Sequence, residues 1–527
     1  MDVNQLQYQH ASSELIQPNE PPSGSQQQYQ HNTYPPQQHL LQTPPDGGPS
    51  GAKPCNPVPP PNPPKIVERP KWNDTWATLL FAIFMVGFAV LAALGMPLTV
   101  ASLRDGNLHI PDVSGSNSSI ALGLSSTEIG GLIGVSVGTG LVFSATYFIL
   151  MLSFPGPLIK FSYLMNVLML VGMAAYLGYL RSYIAAAIFA VFAVLVALSY
   201  WVLRHRIPFS TIVLETVCKI TRRFSGTLLV ALGGVIFSAA YAVLWLGTVI
   251  GMAEWSNSKS LSSGVMIVIL ILLVFMSFWF NEVVRNTVHT AVCGTFATQP
   301  NSESVSLPSN HTTANSLGRA LMSSFGSICF GSLLVSIIRT MKFIAQMAKN
   351  NCAQDGNIFC CIVATCFECF FSCMANILEY FNKYAYTEIA IYGKPYCDAG
   401  RDAWNLFKFK GIDLVINDIL IGYVLGTGSF LSAILCAFAG FLYVTGNGGL
   451  GSMGTSVGVY VGVCLISAFI GMWLFLVLLE VVDAGTAATF VCLAEDPATI
   501  QRQQPRFFAA IQERFPEISW GMQTISY

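Results

Sequence analysis

One continuous stretch of sequence decides the fold: residues 265–298 read VMIVILILLVFMSFWFNEVVRNTVHTAVCGTFAT. Its first part, up to Phe275, contains only apolar side chains, and no proline separates it from the polar part that follows. A helix needs about 20 predominantly apolar residues to cross the roughly 30 Å of hydrocarbon in a bilayer. We therefore predict one long helix that begins in lipid and ends with polar side chains.

The polar part of this helix carries a stripe of different chemical groups. At 100° per residue, Trp279, Glu282, Asn286 and His289 fall on one face, and Arg285 lies beside that face, one turn from both Glu282 and His289. Polar and ionisable groups inside a membrane helix are costly and face the interior of the bundle. This stripe predicts a polar path or pocket.

Composition agrees with a membrane protein. The chain has 527 residues, of which 53% are hydrophobic and only 10% are charged, whereas soluble domains carry about 25% charged residues. The net charge of −1 makes nucleic acid an improbable partner. We predict an all-α, polytopic membrane protein with about ten transmembrane helices and with both termini in the cytoplasm.

Three regions follow from the distribution of apolar residues. Residues 1–70, rich in Gln and Pro, are predicted to be a disordered cytoplasmic tail. Residues 71–497 form the transmembrane transporter domain, and residues 498–527 form a cytoplasmic C-terminal tail. The predicted spans are residues 76–97, 128–152, 158–180, a fourth that ends at 203, 228–253, 265–298, 317–343, one within 359–391, 415–444 and 457–492.

The segments between spans carry the topology signals. Basic residues before the first span and in the loop 204–223 place both segments in the cytoplasm. Residues 299–316 and 392–413 are likewise predicted to be cytoplasmic loops. The loop between the first two spans is then outside, and it contains Asn117 in a glycosylation sequon, which is a candidate modification site.

Three segments resemble the choline-transporter-like family of solute carriers, and in particular its fungal pH-nine-sensitive branch. The family pattern appears in residues 279–298, 381–397 and 483–496. The matching residues are Trp279, Asn286, His289, Gly294, Ala297 and Thr298, then Asn382, Ala385, Tyr386, Ile389, Ala390, Ile391, Tyr392 and Gly393, then Asp483, Phe490, Cys492, Glu495 and Asp496. The resemblance implies a monomeric ten-helix carrier in the plasma membrane that moves choline or related amines and has no enzymatic activity.

A site for such a substrate would need aromatic faces and a nearby anion. A quaternary ammonium neither donates nor accepts hydrogen bonds, and one ring face contributes about 2 kcal/mol when the cation is desolvated. Glu282 is the nearest deep carboxylate. The candidate rings are Trp279, Tyr241, Trp245 and Trp473. The same rings would also fit lipid-facing or core positions.

Charged groups within the spans need partners. A charge at the centre of the bilayer costs about 2.5–3.5 kcal/mol on insertion scales, so Glu282 must pair with Arg285 or Arg339, face the bundle interior, or be protonated. A purely structural ion pair between Glu282 and Arg285 is an equal alternative. Glu480 and Asp483, near the inner end of the last span, either line a cytoplasmic vestibule or are ordinary interfacial carboxylates.

Two further groups of residues are candidates for proton transfer or metal binding. His289 could couple transport to protons, or it could be a neutral histidine that is hydrogen-bonded inside the bundle. Cys366, Cys369 and Cys373 share one helix and lack a second pair of ligands, so helix packing or acylation fits them better than zinc. We predict no metal site and no cofactor.

The sequence leaves four functions to be considered. The first is a carrier for a small organic cation or amine that works by alternating access within membrane lipid. The second is a channel or a lipid-moving protein that uses the same polar interior, and the third is a membrane scaffold. An intramembrane enzyme is disfavoured, because the chain has no His-rich metal cluster and no nucleophile motif.

Overall fold

The computed structural model describes residues 71–104, 126–259, 263–298, 309–446, 457–495, 497, 500–501 and 505–514. Within these ranges every regular element is an α-helix, which confirms the all-α class. The predicted N-terminal tail, the sequon residue Asn117 and most of the predicted C-terminal tail lie outside the described residues.

Ten of the helices are long and apolar enough to cross a membrane, with mean hydropathies of 1.7 to 2.6 over their most apolar windows. Helices of this length span about 30 Å at 1.5 Å per residue. The prediction of ten spans is confirmed, and the side on which the termini lie stays a prediction. The ten helices are α1 (Thr75–Arg104), α2 (Ser126–Ser153), α3 (Pro155–Tyr179), α4 (Tyr183–Leu203), α6 (Gly226–Lys259), α7 (Ser263–Ala297), α9 (Phe325–Gln354), α10 (Ile358–Tyr392), α11 (Tyr396–Gly446) and α12 (Val457–Glu495).

The helices differ in how much of their apolar surface is covered by protein. In α9 and α11, 44% of the most apolar window is buried inside the bundle, whereas the figure for α4 is 11%. Helix α11 packs against α12, α2 and α10, and α9 packs against α10, α7 and α1. The polar groups of α7, α9, α10, α11 and α12 therefore meet in the interior, away from lipid.

The prediction of residues 317–343 as one span is wrong at its start. Residues up to 321 belong to a separate short helix, α8 (Ser309–Leu321), so the predicted loop 299–316 is also wrong from Ser309 onward. At the start of α9, Gly326 lies against the backbone of the segment that precedes α1, and a Cβ atom at this position would clash with the carbonyl oxygen of Asn73. The turn itself contains Ser323 and Ser324, which are typical turn residues, and the prediction of a single span overlooked them.

The predicted loop 392–413 is also wrong, because only its first few residues are non-helical. Gly393 has a φ of 63° and caps α10, and α11 begins directly after Pro395. A left-handed glycine after a helix and a proline before the next one are typical of such a sharp turn. Of the basic residues that indicated a loop, Lys394 lies in this turn, and Arg401, Lys408 and Lys410 lie in the first part of α11, a helix of 51 residues.

Two amphipathic helices pack together at one end of the bundle. The predicted basic loop 204–223 forms α5 (Ile207–Arg223), whose apolar face is buried, and burial together with the nearby Glu215 raises the pKa of the Cys218 thiol to about 12. Helix α13 (Pro505–Arg514), inside the predicted C-terminal tail, packs against α5. Its buried side chains are Phe507, Phe508 and Ile511.

Candidate functional site

A polar cavity of about 390 Å³ lies among α7, α9, α10, α11 and α12. Its volume falls in the range of pockets that hold small molecules, roughly 300–1,000 Å³. The ionisable residues that line it are Glu282, Arg285, His289, Glu379, Tyr380, Lys383, Asp418, Glu480 and Asp483.

Six of the residues proposed from the sequence meet at this cavity. They are Glu282, Arg285, Asn286, His289, Glu480 and Asp483. The first four come from α7, which runs from Ser263 to Ala297 without a break, so the stripe at helical spacing becomes one wall. The other two come from α12 on the opposite wall. Their roles in binding or gating stay predictions.

Arg339 of α9 holds two of the carboxylates. Its Nη1 lies 2.5 Å from Oε1 of Glu282, and its Nη2 lies 2.8 Å from Oε1 of Glu379 on α10. Asn286 donates to Oγ of Ser332 at 2.9 Å, which ties α7 to α9 beside this cluster. The structure thus pairs Glu282 with Arg339, one of the two partners considered from the sequence.

Glu480 of α12 faces both cationic candidates of α7. Its Oε2 lies 3.4 Å from Nε of Arg285, and its Oε1 lies 3.5 Å from Nδ1 of His289. On the other side of the ring, Nε2 of His289 lies 3.1 Å from the carbonyl oxygen of Lys383. A carbonyl oxygen can only accept, so Nε2 carries a hydrogen, and Nδ1 points at the carboxylate.

Lys383 of α10 lies between two aspartates. Its Nζ is 2.7 Å from Oδ1 of Asp483 and 3.3 Å from Oδ2 of Asp418, which also accepts from the Tyr384 hydroxyl at 2.7 Å. Our sequence reasoning did not propose Lys383, Asp418, Glu379 or Tyr380 as site residues. The available signal was the same as for Glu282: ionisable groups deep within apolar helical segments.

Charge in the cavity is not balanced. The lining contributes five carboxylates, from Glu282, Glu379, Asp418, Glu480 and Asp483. The cationic groups number three, namely Arg285 and Lys383 in the lining and Arg339 paired to two of the carboxylates. With a neutral His289 the group carries two net negative charges. With an imidazolium, which the contact between Nδ1 and the Glu480 carboxylate favours, it carries one, and a cation or a proton would offset either charge.

The four proposed aromatic residues do not line this cavity. Trp279 is fully buried among α1 and α9 side chains, and its Nε1 donates to the Cys329 carbonyl at 3.1 Å. Tyr241 stacks on Phe280 with ring centroids 3.7 Å apart, and Trp245 donates to the Leu273 carbonyl. The ring of Trp473 packs against Phe469. All four rings therefore have packing partners elsewhere in the bundle.

One end of the cavity is closed by small side chains. Cys293, one turn beyond His289, lies with its Sγ 3.3 Å from the Ala484 carbonyl and 3.5 Å from the Thr387 hydroxyl. Cys293, Thr387 and Ala484 are all 0% exposed. Three helices, α7, α10 and α12, thus touch directly at this level.

The cysteines of α10 do not form a metal site in the part of the chain that the structure describes. No group of three potential ligands occurs among the described residues. Cys366, Cys369 and Cys373 are exposed on the helix surface, and Cys352 forms a disulfide with Cys360 at the α9–α10 turn.

A family model described as "Plasma-membrane choline transporter" matches residues 187–498, more than half of the chain. The chain belongs to this family. The matched region contains the whole of α7, α9, α10, α11 and α12, and so every helix that lines the cavity. Membership of the family together with ten apolar helices identifies a multi-pass protein of a membrane-transporter family.

Fungal relatives match over nearly the whole chain. The protein named "Protein PNS1" of Mycosarcoma maydis is 30% identical over 478 residues, which cover 87% of this chain and 86% of the relative. Those of Gibberella zeae and Candida albicans are 31% and 30% identical over 470 and 467 residues. Each alignment covers 86% of this chain, with 84% and 88% of the respective relative. The resemblance to the fungal branch is confirmed.

Proposed function

We propose that the protein is a plasma-membrane carrier that moves a small organic cation, such as an amine or choline, by alternating access. The observation that carries the proposal is the excess of carboxylates over cationic groups in a cavity lined by five helices. Interactions between charges are much stronger in a low-dielectric interior than in water. An unbalanced negative cavity there attracts a cation and excludes an anion of the same size.

The closed end of the cavity favours a carrier over a channel. Cys293, Thr387 and Ala484 are fully buried and in contact, while the Arg285 side chain above them is 50% exposed. A solute that reaches the charged groups would therefore stop at this level. With the predicted orientation, these contacts lie on the cytoplasmic side of the charged groups, as expected for a closed cytoplasmic gate in an alternating-access cycle.

The test is flux through the purified full-length protein in liposomes. We expect saturable uptake of radiolabelled choline or ethanolamine, and acceleration of uptake when the vesicles contain unlabelled substrate. Empty liposomes provide the baseline. Flux that rises linearly with concentration and shows no acceleration would support a channel, and the absence of any flux would support a scaffold. Deletion of residues 1–64 should leave uptake unchanged.

A further inference from the structure

Asp418 differs from every other carboxylate in the cavity. Its side chain is only 9% exposed, and Oδ2 accepts hydrogen bonds from Tyr384 and Lys383. Oδ1 is buried and has no hydrogen-bond partner. A buried carboxylate oxygen without a donor is costly, because it has lost its water and gained nothing in return. This oxygen therefore marks a place where a donor group binds.

The hydroxyl of Tyr380 has the same property and lies in the same place. It is buried without a hydrogen-bond partner, and it lines the cavity beside Asp418 and Tyr384. A phenol hydroxyl can both donate and accept. The Tyr380 hydroxyl lies close enough to the Asp418 carboxylate to pair with it when no solute is bound. One small group with hydrogen-bonding capacity could satisfy both atoms when it binds.

Lys383 supplies a cation that is only partly engaged with Asp418. Its ammonium is closer to Asp483, at 2.7 Å, than to Asp418, at 3.3 Å. The two aspartates and the lysine together carry one net negative charge. A second cation bound at Asp418 would neutralise this charge. Lys383 would then pair with Asp483 alone.

We propose that Asp418 Oδ1 and Tyr380 Oη form the subsite for the charged group of the substrate, and that Lys383 is a tethered cation with which the substrate competes. This inference rests on the proposed function and predicts that, among its substrates, small cations with at least one N–H group bind more tightly than quaternary ones. The N–H donates to Asp418, and Tyr380 contacts the same group or a neighbouring hydroxyl. On release of the substrate, the Lys383 ammonium again shares Asp418.

The lining explains why an N–H cation should be preferred over a quaternary one. A quaternary ammonium leaves Asp418 Oδ1 without a donor and depends on ring faces for its binding energy. Tyr380 is the one aromatic residue in the lining of this cavity. The rings of Trp279 and Tyr241 are packed elsewhere.

A matched pair of probes isolates the N–H group. N,N-dimethylethanolamine is protonated at neutral pH and keeps one N–H, whereas choline carries a methyl group in its place. Apparent dissociation constants are measured by thermal stabilisation of the purified full-length protein. Since a hydrogen bond to a charged group is strong, we expect dimethylethanolamine to bind about 10-fold more tightly than choline.

Three substitutions assign the preference to the subsite. Asp418→Asn should weaken the binding of dimethylethanolamine by about 10- to 100-fold and reduce its preference over choline to about one. Tyr380→Phe should weaken the same probe by about 3- to 10-fold. Lys383→Gln should act in the opposite direction and tighten binding, because it removes the competing cation. Asp398→Asn, Tyr179→Phe and Lys219→Gln make the same changes at exposed positions and should alter nothing.

The results distinguish this inference from the proposed function. If choline is transported and binds as tightly as dimethylethanolamine, or if Asp418→Asn weakens the binding of both probes equally, the proposed subsite is wrong. The proposed carrier function would be unaffected by that result. If Lys383→Gln weakens binding as much as Asp418→Asn, the lysine is a supporting group and not a competitor. If the wild-type protein neither binds nor moves either probe, both proposals fall.

Discussion

Replacing Arg339 with glutamine should destabilise the protein far more than replacing either carboxylate that Arg339 holds. The guanidinium is the single close cationic partner that the described contacts give to Glu282 and Glu379, at 2.5 and 2.8 Å. Its removal leaves two carboxylates facing each other inside the bundle. Removing a carboxylate instead leaves an intact ion pair.

The distances and the burial set the expected size of each effect. Removing one partner of a buried ion pair costs about 3–5 kcal/mol. Because Arg339 and Glu379 are 28% and 26% exposed, we expect Arg339→Gln to cost about 3 kcal/mol, at the lower end of that range. Glu282→Gln should cost about 1 kcal/mol, since Arg339 keeps Glu379. The double variant should cost less than the sum, which corresponds to a coupling of about 2 kcal/mol.

The assay is equilibrium unfolding in mixed micelles of the purified wild-type protein, Arg339→Gln, Glu282→Gln and the double variant, which together form a double-mutant cycle. Arg401→Gln is the matched control, because Arg401 pairs with Asp398 on the exposed surface of α11, and its loss should change stability by at most about 0.5 kcal/mol. If Glu282→Gln destabilises the protein as much as Arg339→Gln, or if the coupling vanishes, the charge cluster does not act as described.

Three other substitutions test separate features. Glu480→Gln should lower saturable uptake at least about 10-fold at normal yield, because it weakens contacts to two groups of α7 at once, while Glu215→Gln on the exposed surface of α5 should not. Trp279→Ala should cost about 3–5 kcal/mol and reduce the folded yield, yet uptake per folded molecule should stay near wild type, since the ring is sealed in the core. Reduced uptake at normal stability would instead restore Trp279 as a binding residue. Gly326→Ala should destabilise the protein, because its Cβ would meet the Asn73 carbonyl, whereas Gly318→Ala, in open space, should be neutral or stabilise by about 0.4–1 kcal/mol. Thermal midpoints of the two glycine variants decide this comparison, and equal midpoints would contradict it.

The spans could be predicted from the sequence because lipid imposes one requirement on every helix, about 20 apolar residues. What the sequence did not reveal were the helix ends that lie beyond the apolar window. The charged residues 392–413 were interpreted as a loop, although most of them continue α11. Conversely, the contact between Gly326 and Asn73 at the start of α9 joins residues that are distant in sequence, and no local pattern predicts it.

For the site, the sequence predicted the cavity residues that lie on one face of α7. It did not predict which residues of the neighbouring helices complete the cavity. Glu282, Arg285 and His289 could be placed together because they lie on one face of α7. The partners of Lys383 come from α11 and α12, and helical periodicity says nothing about which helices become neighbours. The depth of an aromatic residue within a span did not predict whether it lines the cavity, because large rings also pack well against other helices in the interior of the bundle.

The family motifs divide into two layers along α7, α10 and α12, and this division bears on how a carrier of this fold could move. One layer contains Asn286, His289 and Asp483, which line the charged cavity. The next layer includes Gly294, which lies against Ser316 and Arg319 of α8, and Phe490, which stacks on Phe209 of α5 and is 1% exposed. Contacts across the closed layer are close but weakly polar, with Cys293 touching Ala484 and Thr387. Helices held by van der Waals contacts between small side chains can separate without leaving a charge unpaired. The contacts of Cys293 are therefore easier to break than the ion pairs in which Arg339 and Lys383 each join two helices to a third. The buried ion pair of Glu388 with Lys394 lies next to Thr387 and has to stay intact when these contacts separate. We expect the closed layer to be the part that separates when the cavity faces the other side, while the charged layer stays intact around the solute.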